Sequence, residues 1–146
     1  MGRAFCVGVI LLLGFGAFTT RVEAQSGSGN RGRGSQLEQN YPNPFNPVTR
    51  IPFTLSVELF EDGGSAVVTI RIYNVLRQLV ATPTALNHPA GNGALIDRLQ
   101  YTAPGRYLAY WDGTDKDGKK VGSGLYFAWL EINGRRVSLL PMTVAK

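Results

Sequence analysis

The sequence has 146 residues, a formal net charge of +5, one cysteine and one histidine. This length suits a single domain of ordinary size, and a lone cysteine excludes an intramolecular disulfide framework and a zinc site built from several cysteines. The 18 glycines and 8 prolines are scattered along the chain and indicate many turns.

Residues 1–24 have the three-part layout of a secretory signal peptide. Arg3 supplies a basic start, residues 7–18 are an apolar run, and small or permissive residues precede Gln25. The run is about a dozen residues long, whereas a membrane-spanning helix needs roughly 20. We therefore expect export through the inner membrane and cleavage between Ala24 and Gln25, with an uncleaved signal anchor as the alternative.

Residues 25–36 (QSGSGNRGRGSQ) form a stretch rich in glycine and serine and without apolar side chains. Such a stretch cannot offset the entropy lost on ordering, so we predict a flexible linker. Arg31 and Arg33 resemble a small RGG-like element, but two arginines without interleaved aromatic residues do not predict nucleic-acid binding. A solvated linker that touches anionic lipid or polysaccharide is the favoured interpretation.

Residues 37–146 show the alternation of apolar and polar side chains that is typical of half-buried strands. The alternation is clearest in residues 50–57 and 66–74, which are rich in β-branched residues. Because Pro52 cannot donate to a ladder, we expect the first of these strands to lie at an edge or to begin outside the sheet. Further strands are predicted over residues 77–82, 106–111, 124–132, 135–144 and within 94–101.

Turn signals separate these strands, and Asn133-Gly134 between two apolar runs is the strongest hairpin signal. Residues 87–93 lack periodicity and are predicted to be a mobile surface loop. About seven short antiparallel strands at this spacing predict an all-β fold, an immunoglobulin-like antiparallel β-sandwich without the cysteine pair of an antibody domain.

Several motifs resemble those of a known family. Residues 37–55 read LEQNYPNPFNPVTRIPFTL, residues 68–80 read VTIRIYNVLRQLV, and residues 111–130 read WDGTDKDGKKVGSGLYFAWL. In this order, and with the closing PMTVAK of residues 141–146, they resemble the C-terminal sorting domains of the type IX secretion system (type A, the Por secretion tail). The fold to which these sorting domains are related is the immunoglobulin-like domain of the flagellar hook-capping protein.

The resemblance implies a non-catalytic secretion-sorting module without a cofactor. Its partners would be the outer-membrane type IX translocon and its sortase-like peptidase, and the protein would pass through the periplasm to the cell surface or the extracellular space. The positions that match the sorting motifs are Tyr41, Pro42, Asn43, Pro44, Phe45, Asn46, Pro47, Trp111, Asp112, Gly113, Asp115, Gly118, Gly124, Tyr126, Phe127 and Lys146.

The chain departs from the family pattern in three respects. Arg77 stands where glycine is usual, and Pro141 in the altered ending is expected to break the ladder of the last strand. The family places the module behind a large cargo domain, whereas only the linker precedes it here. A truncated gene, a free decoy for the translocon and a stand-alone cell-surface structural or glycan-binding β-sandwich therefore remain open; the last would use Trp111 or Trp129.

The proline-rich arm, residues 41–47, is predicted to be stiff and polyproline-like because its three prolines fix φ. We expect Tyr41 and Phe45 to pin the arm onto the sandwich. The alternative is a ligand for an aromatic groove elsewhere.

Asp112, Asp115 and Asp117 precede Gly118 and invite comparison with a calcium loop. Aligning Gly118 with the glycine of an EF-hand loop leaves two required ligand positions as glycines. We therefore expect these carboxylates to accept hydrogen bonds from their own backbone, with calcium at an irregular site as the alternative.

In residues 124–132 the family pattern directs the side of Tyr126 to the core and leaves Phe127 and Trp129 on the outer face. An exposed aromatic pair would mark a contact surface for a translocon partner or a sugar, and a sheet packed on both sides is the alternative.

The sequence does not predict an enzyme. His88 lies in a loop rich in glycine and proline, Cys6 lies in the signal peptide, and no GxSxG or phosphate-loop motif is present.

Overall fold

The computed structural model describes residues 34–146. The predicted signal peptide, its cleavage site at Ala24 and Gln25, and residues 25–33 of the predicted linker lie outside the described residues. Within them no helix is long and apolar enough to cross a membrane. The strands are β1 (Gln36–Leu37), β2 (Thr49–Leu55), β3 (Ala66–Asn74), β4 (Leu79–Ala81), β5 (Thr84–Ala85), β6 (Leu99–Tyr101), β7 (Gly105–Trp111), β8 (Gly124–Ile132) and β9 (Arg135–Val144), with 3-10 turns in Val57–Gly63.

The strands form two antiparallel sheets. The first has the order β1-β2-β7-β5, and the second has the order β4-β3-β8-β9 with β6 also paired to β3. Alternate side chains of both sheets point into one shared core, as Ile51 and Phe53 of β2 and Ile70 and Ile72 of β3 do, each fully buried. The predicted all-β sandwich is confirmed at this level.

The hairpin of β8 and β9 is the longest pairing of the second sheet and follows the sequence pattern closely. Asn133 and Gly134 join the two strands with φ values of 51° and 78°, which are the left-handed values that a two-residue hairpin turn requires. The Asn133 side chain also accepts a hydrogen bond from the Val67 backbone N–H at 2.9 Å, so the turn is tied to β3.

Pro52 does not place β2 at an edge, because β2 lies between β1 and β7. The Pro52 carbonyl accepts a hydrogen bond from the Glu38 N–H on the β1 side at 2.8 Å. In an antiparallel strand the nitrogen and the carbonyl of one residue point to the same side. The missing N–H therefore faces short β1 and leaves the pairing with β7 intact.

Pro141 does not break the last ladder either, since β9 runs through it and pairs it with Phe127. Two residues further on, the Thr143 carbonyl accepts a hydrogen bond from outside the sheet, from the Phe45 N–H. Residues 141 and 143 share a side of the strand, so the Pro141 nitrogen points to the open edge and away from β8. The expected interruption is wrong for this reason.

Candidate functional site

The proline-rich arm folds back onto one end of the sandwich. Its Phe45 N–H donates to the Thr143 carbonyl, and its Phe45 carbonyl accepts from the Ala145 N–H, both at 3.0 Å. The predicted intramolecular role is confirmed. The backbone bends at residues 42–44 and 46–47, so the predicted polyproline-like conformation is wrong. We call the region formed by residues 41–47, 111–118 and 144–146 the arm end.

Phe45 is the side chain that pins the arm. It is 1% exposed and packs edge-on against Trp111, with the ring centroids 5.3 Å apart. On its other side Trp111 packs against Tyr126 at 5.5 Å, and its indole N–H donates to the Thr114 carbonyl at 2.8 Å. Since Trp111 is only 2% exposed, the interpretation in which it binds a sugar is wrong.

Tyr41 contributes to the arm through its backbone rather than through its ring. It exchanges two hydrogen bonds of 2.9 Å with the Arg50 backbone, and its side chain is 43% exposed. The expected pinning role of the Tyr41 ring is therefore wrong, and the ring is available to a partner.

Asn40 and Thr49 fix the entry and exit of the arm, although sequence reasoning did not single them out. Both side chains are buried, at 1% exposure each. The Asn40 side-chain amide donates to Thr49 Oγ1 at 3.0 Å and to the Pro42 carbonyl at 3.2 Å, and the Thr49 hydroxyl donates to that carbonyl at 3.0 Å. The signal in the sequence is a pair of small polar residues that flank the prolines, but their burial depends on the fold.

Gly113 lets the arm pack closely on the loop that follows Trp111. A Cβ at this position would lie 2.3 Å from the Pro47 carbonyl oxygen, and the φ of Gly113 is +75°. Any other residue would both clash with the arm and adopt an unfavourable backbone conformation.

Two of the three aspartates of this loop, Asp112 and Asp115, accept hydrogen bonds from its backbone, as predicted. Asp112 Oδ1 accepts from the Thr114 N–H at 2.9 Å and from its hydroxyl at 2.6 Å. Asp115 Oδ1 accepts from the N–H groups of Asp117 and Lys119, both at 2.9 Å. Within residues 34–146, no group of three or more His, Cys, Asp or Glu side chains lies close enough to hold a metal ion.

The last residues of the sequence complete the arm end. The Lys146 N–H donates to the Ser123 hydroxyl at 3.2 Å. A groove of about 290 Å³ opens between the arm, Gly113 and the end of β9, and its lining residues include Lys120 and Lys146 but no aspartate or glutamate. The side chains that line this groove therefore carry only positive charge.

Most of the predicted sorting residues meet at the arm end, but Phe127 does not. Tyr126 faces the core with Ala128 and Leu130, which are fully buried, so the predicted facing of β8 is confirmed. Phe127 and Trp129 point to the outer face of the second sheet and are half-buried. The residues that the arm end brings together are Tyr41, Pro42, Asn43, Pro44, Phe45, Asn46, Pro47, Trp111, Asp112, Gly113, Gly124, Tyr126 and Lys146, with Asp115 and Gly118 further along the same loop.

The loop that carries His88 uses the imidazole to hold itself together. His88 Nε2 lies 2.7 Å from the Gln100 carbonyl, and Nδ1 accepts the Ala90 N–H at 3.0 Å. The ring also packs edge-on against Tyr101, with the centroids 4.7 Å apart. These contacts engage both ring nitrogens and give His88 a structural role.

Tyr101 lies in the core beside Phe53 and Tyr107. Its hydroxyl is buried and, among the described residues, has no hydrogen-bond partner. Burial raises the pKa of Tyr101 strongly, and the neighbouring Tyr107 adds to the rise. The phenol therefore stays neutral at physiological pH and provides no base.

Comparisons of the chain with protein-family models, with curated proteins and with solved structures each return no match.

Proposed function

We propose that residues 37–146 are a non-catalytic sorting module with an immunoglobulin-like sandwich, which directs export across the outer membrane by the type IX secretion system and on to the cell surface. The observation that carries the proposal is the convergence of the motif residues at the arm end. Asn43 Oδ1 there accepts the N–H of Thr143, 100 positions away along the chain. The resemblance of the motifs supplies the identity of the machinery.

The arm end has the properties expected of a preformed recognition surface. Phe45 and Trp111 are buried and hold the arm in one place, so a receptor meets a preformed surface and little ordering entropy is lost on binding. Tyr41 and Asn46 are exposed on that surface. The groove beside them carries Lys120 and Lys146, which favours an acidic patch on the translocon or its sortase-like peptidase.

The experiment inserts a reporter enzyme into residues 25–33, so that the predicted signal peptide precedes it and the whole sandwich follows it. In cells with a working type IX system, the reporter should become accessible to protease added outside the cell. In cells without the translocon it should stay in the periplasm. Periplasmic retention in both strains contradicts the proposal.

Matched variants separate recognition from folding. The double variant Tyr41→Ala/Asn46→Ala removes two exposed side chains of the arm and should reduce surface display several-fold at an unchanged melting temperature. Leu76→Ala/Asn92→Ala removes two exposed side chains outside the arm end and should leave display unchanged. Equal display by the two double variants would count against recognition through the arm.

A further inference from the structure

The outer face of the second sheet carries an aromatic groove that lies apart from the arm end. The strand register places Tyr73 of β3 opposite Phe127 of β8, and Trp129 of β8 opposite Leu139 of β9. These four side chains line a groove of about 470 Å³, a volume within the range of roughly 300–1,000 Å³ found for small-molecule sites. The three aromatic rings are half-buried, so they are fixed in place while part of their surface meets solvent.

Two arginines line the same groove beside the aromatic rings. Arg77 lies in the turn after β3, and the Arg136 guanidinium lies 4.8 Å from the centroid of the Trp129 ring. The groove's lining includes no carboxylate. The nearby Glu131 accepts from Arg71 at 3.0 Å and from Arg136 at the longer distance of 3.4 Å. The residues that line the groove therefore carry two positive charges and no negative one, and Glu131 beside it offsets part of the charge of Arg136.

This combination selects a ligand with two chemical features. The C–H groups on one side of a pyranose ring are weakly positive and pack against the negative face of an aromatic ring. A guanidinium binds a carboxylate through two parallel hydrogen bonds. A purely apolar protein segment would use the rings but leave Arg77 without a counter-charge, since of the two arginines only Arg136 is paired within the described residues, with Glu131.

We propose that this groove binds an acidic saccharide, a short chain of uronic acid units. Its sugar rings pack on Phe127 and on the part of Trp129 that Arg136 leaves uncovered, and its carboxylates bind Arg77 and Arg136. The site lies on the outer face of the sheet and uses neither the arm nor its groove. Of the positions that match the sorting motifs it uses only Phe127. A binding measurement on the purified chain is unaffected by the result of a secretion assay.

The test titrates the full chain with trigalacturonate and, separately, with its methyl ester, which keeps the sugar rings and removes the charge. Calorimetry should detect the acid and show at least about tenfold weaker binding of the ester, the loss expected for one or two charge-assisted hydrogen bonds. Tryptophan emission should change on binding, and this change should disappear in Trp129→Phe.

Variants locate the site. Arg77→Gln and Arg136→Gln should each weaken trigalacturonate binding about tenfold, whereas Arg50→Gln, an exposed arginine on the first sheet, should leave it unchanged. Thermal melting of each variant checks that the fold is retained. Undetectable binding at millimolar trigalacturonate, equal binding of acid and ester, or an equal loss in Arg50→Gln would each overturn the proposal. So would dimerisation of the full chain through this face, detected by ultracentrifugation and abolished by Trp129→Ala.

Discussion

The arm end and the outer face of the second sheet each contain one of the two tryptophans, and the two regions use them differently. Trp111 lies between Phe45 and Tyr126, and its N–H bonds within the chain. Trp129 is half-buried beneath the Arg136 guanidinium. At the arm end Phe45 and Trp111 hold a segment of the chain in place, whereas the aromatic rings of the outer face keep part of their surface in solvent.

This difference shows that motif residues and contact residues need not coincide. Several motif residues of the arm end have a structural role. Phe45 and Trp111 are buried in the packing, and Gly113 allows the close approach of Pro47. The exposed residues of the arm, such as Tyr41 and Asn46, form the surface that the proposed receptor would contact. One motif can therefore contain residues that stabilise the fold and residues that form a proposed contact surface.

The largest effect expected from this comparison is the loss of Phe45. Phe45→Ala removes a fully buried ring and opens the side of Trp111, so the free energy of unfolding should fall by roughly 3–5 kcal/mol. The matched variant Phe127→Ala removes a half-buried ring from the outer face and should cost about 1–2 kcal/mol. Urea denaturation measures both; similar losses would mean that the arm end is no more tightly packed than the outer face.

A smaller effect is expected at the contact between the arm and the loop. Gly113→Ala places a methyl group against the Pro47 carbonyl at a φ of +75° and should cost at least about 2 kcal/mol. Gly118→Ala is the matched control, because Gly118 has a φ of +79° and no atom within 4 Å of an added Cβ; about 1 kcal/mol is expected there. Equal melting temperatures for the two variants would argue against a tightly packed arm.

The smallest effect concerns a buried aromatic residue outside both regions. Because burial raises the pKa of Tyr101, the folded state keeps its proton at pH values where the unfolded chain has lost it. The stability contributed by the neutral phenol is therefore complete below about pH 10 and falls above it, by about 1.4 kcal/mol per pH unit. Tyr101→Phe should flatten this fall in urea midpoints between pH 9 and 11.

The same variant should also be slightly more stable at neutral pH. It removes a buried hydroxyl without a partner, and leaving such a group unsatisfied costs about 1 kcal/mol or more. Tyr107 also has a pKa raised by burial, so part of the alkaline fall should persist in Tyr101→Phe. Complete persistence would contradict the assignment to Tyr101.

Much of the second sheet was predictable because its signals are local. The alternation in Ala66–Asn74 fixes which of its side chains face the core, and Asn133-Gly134 forms the turn that joins β8 to β9. The short strands β1 and β5 carry too few residues to show a period. Their pairing depends on partners elsewhere in the chain.

By itself the sequence determined the β-rich class, the long strands and the hairpin turn. These features depend on side-chain period and on turn residues that act over a few positions. Only the tertiary structure decided the burial of Asn40 and Trp111, which side of β8 faces the core, and the tolerance of Pro52 and Pro141. Each of those depends on which segment packs alongside, and contacts between distant residues are not encoded in local periodicity.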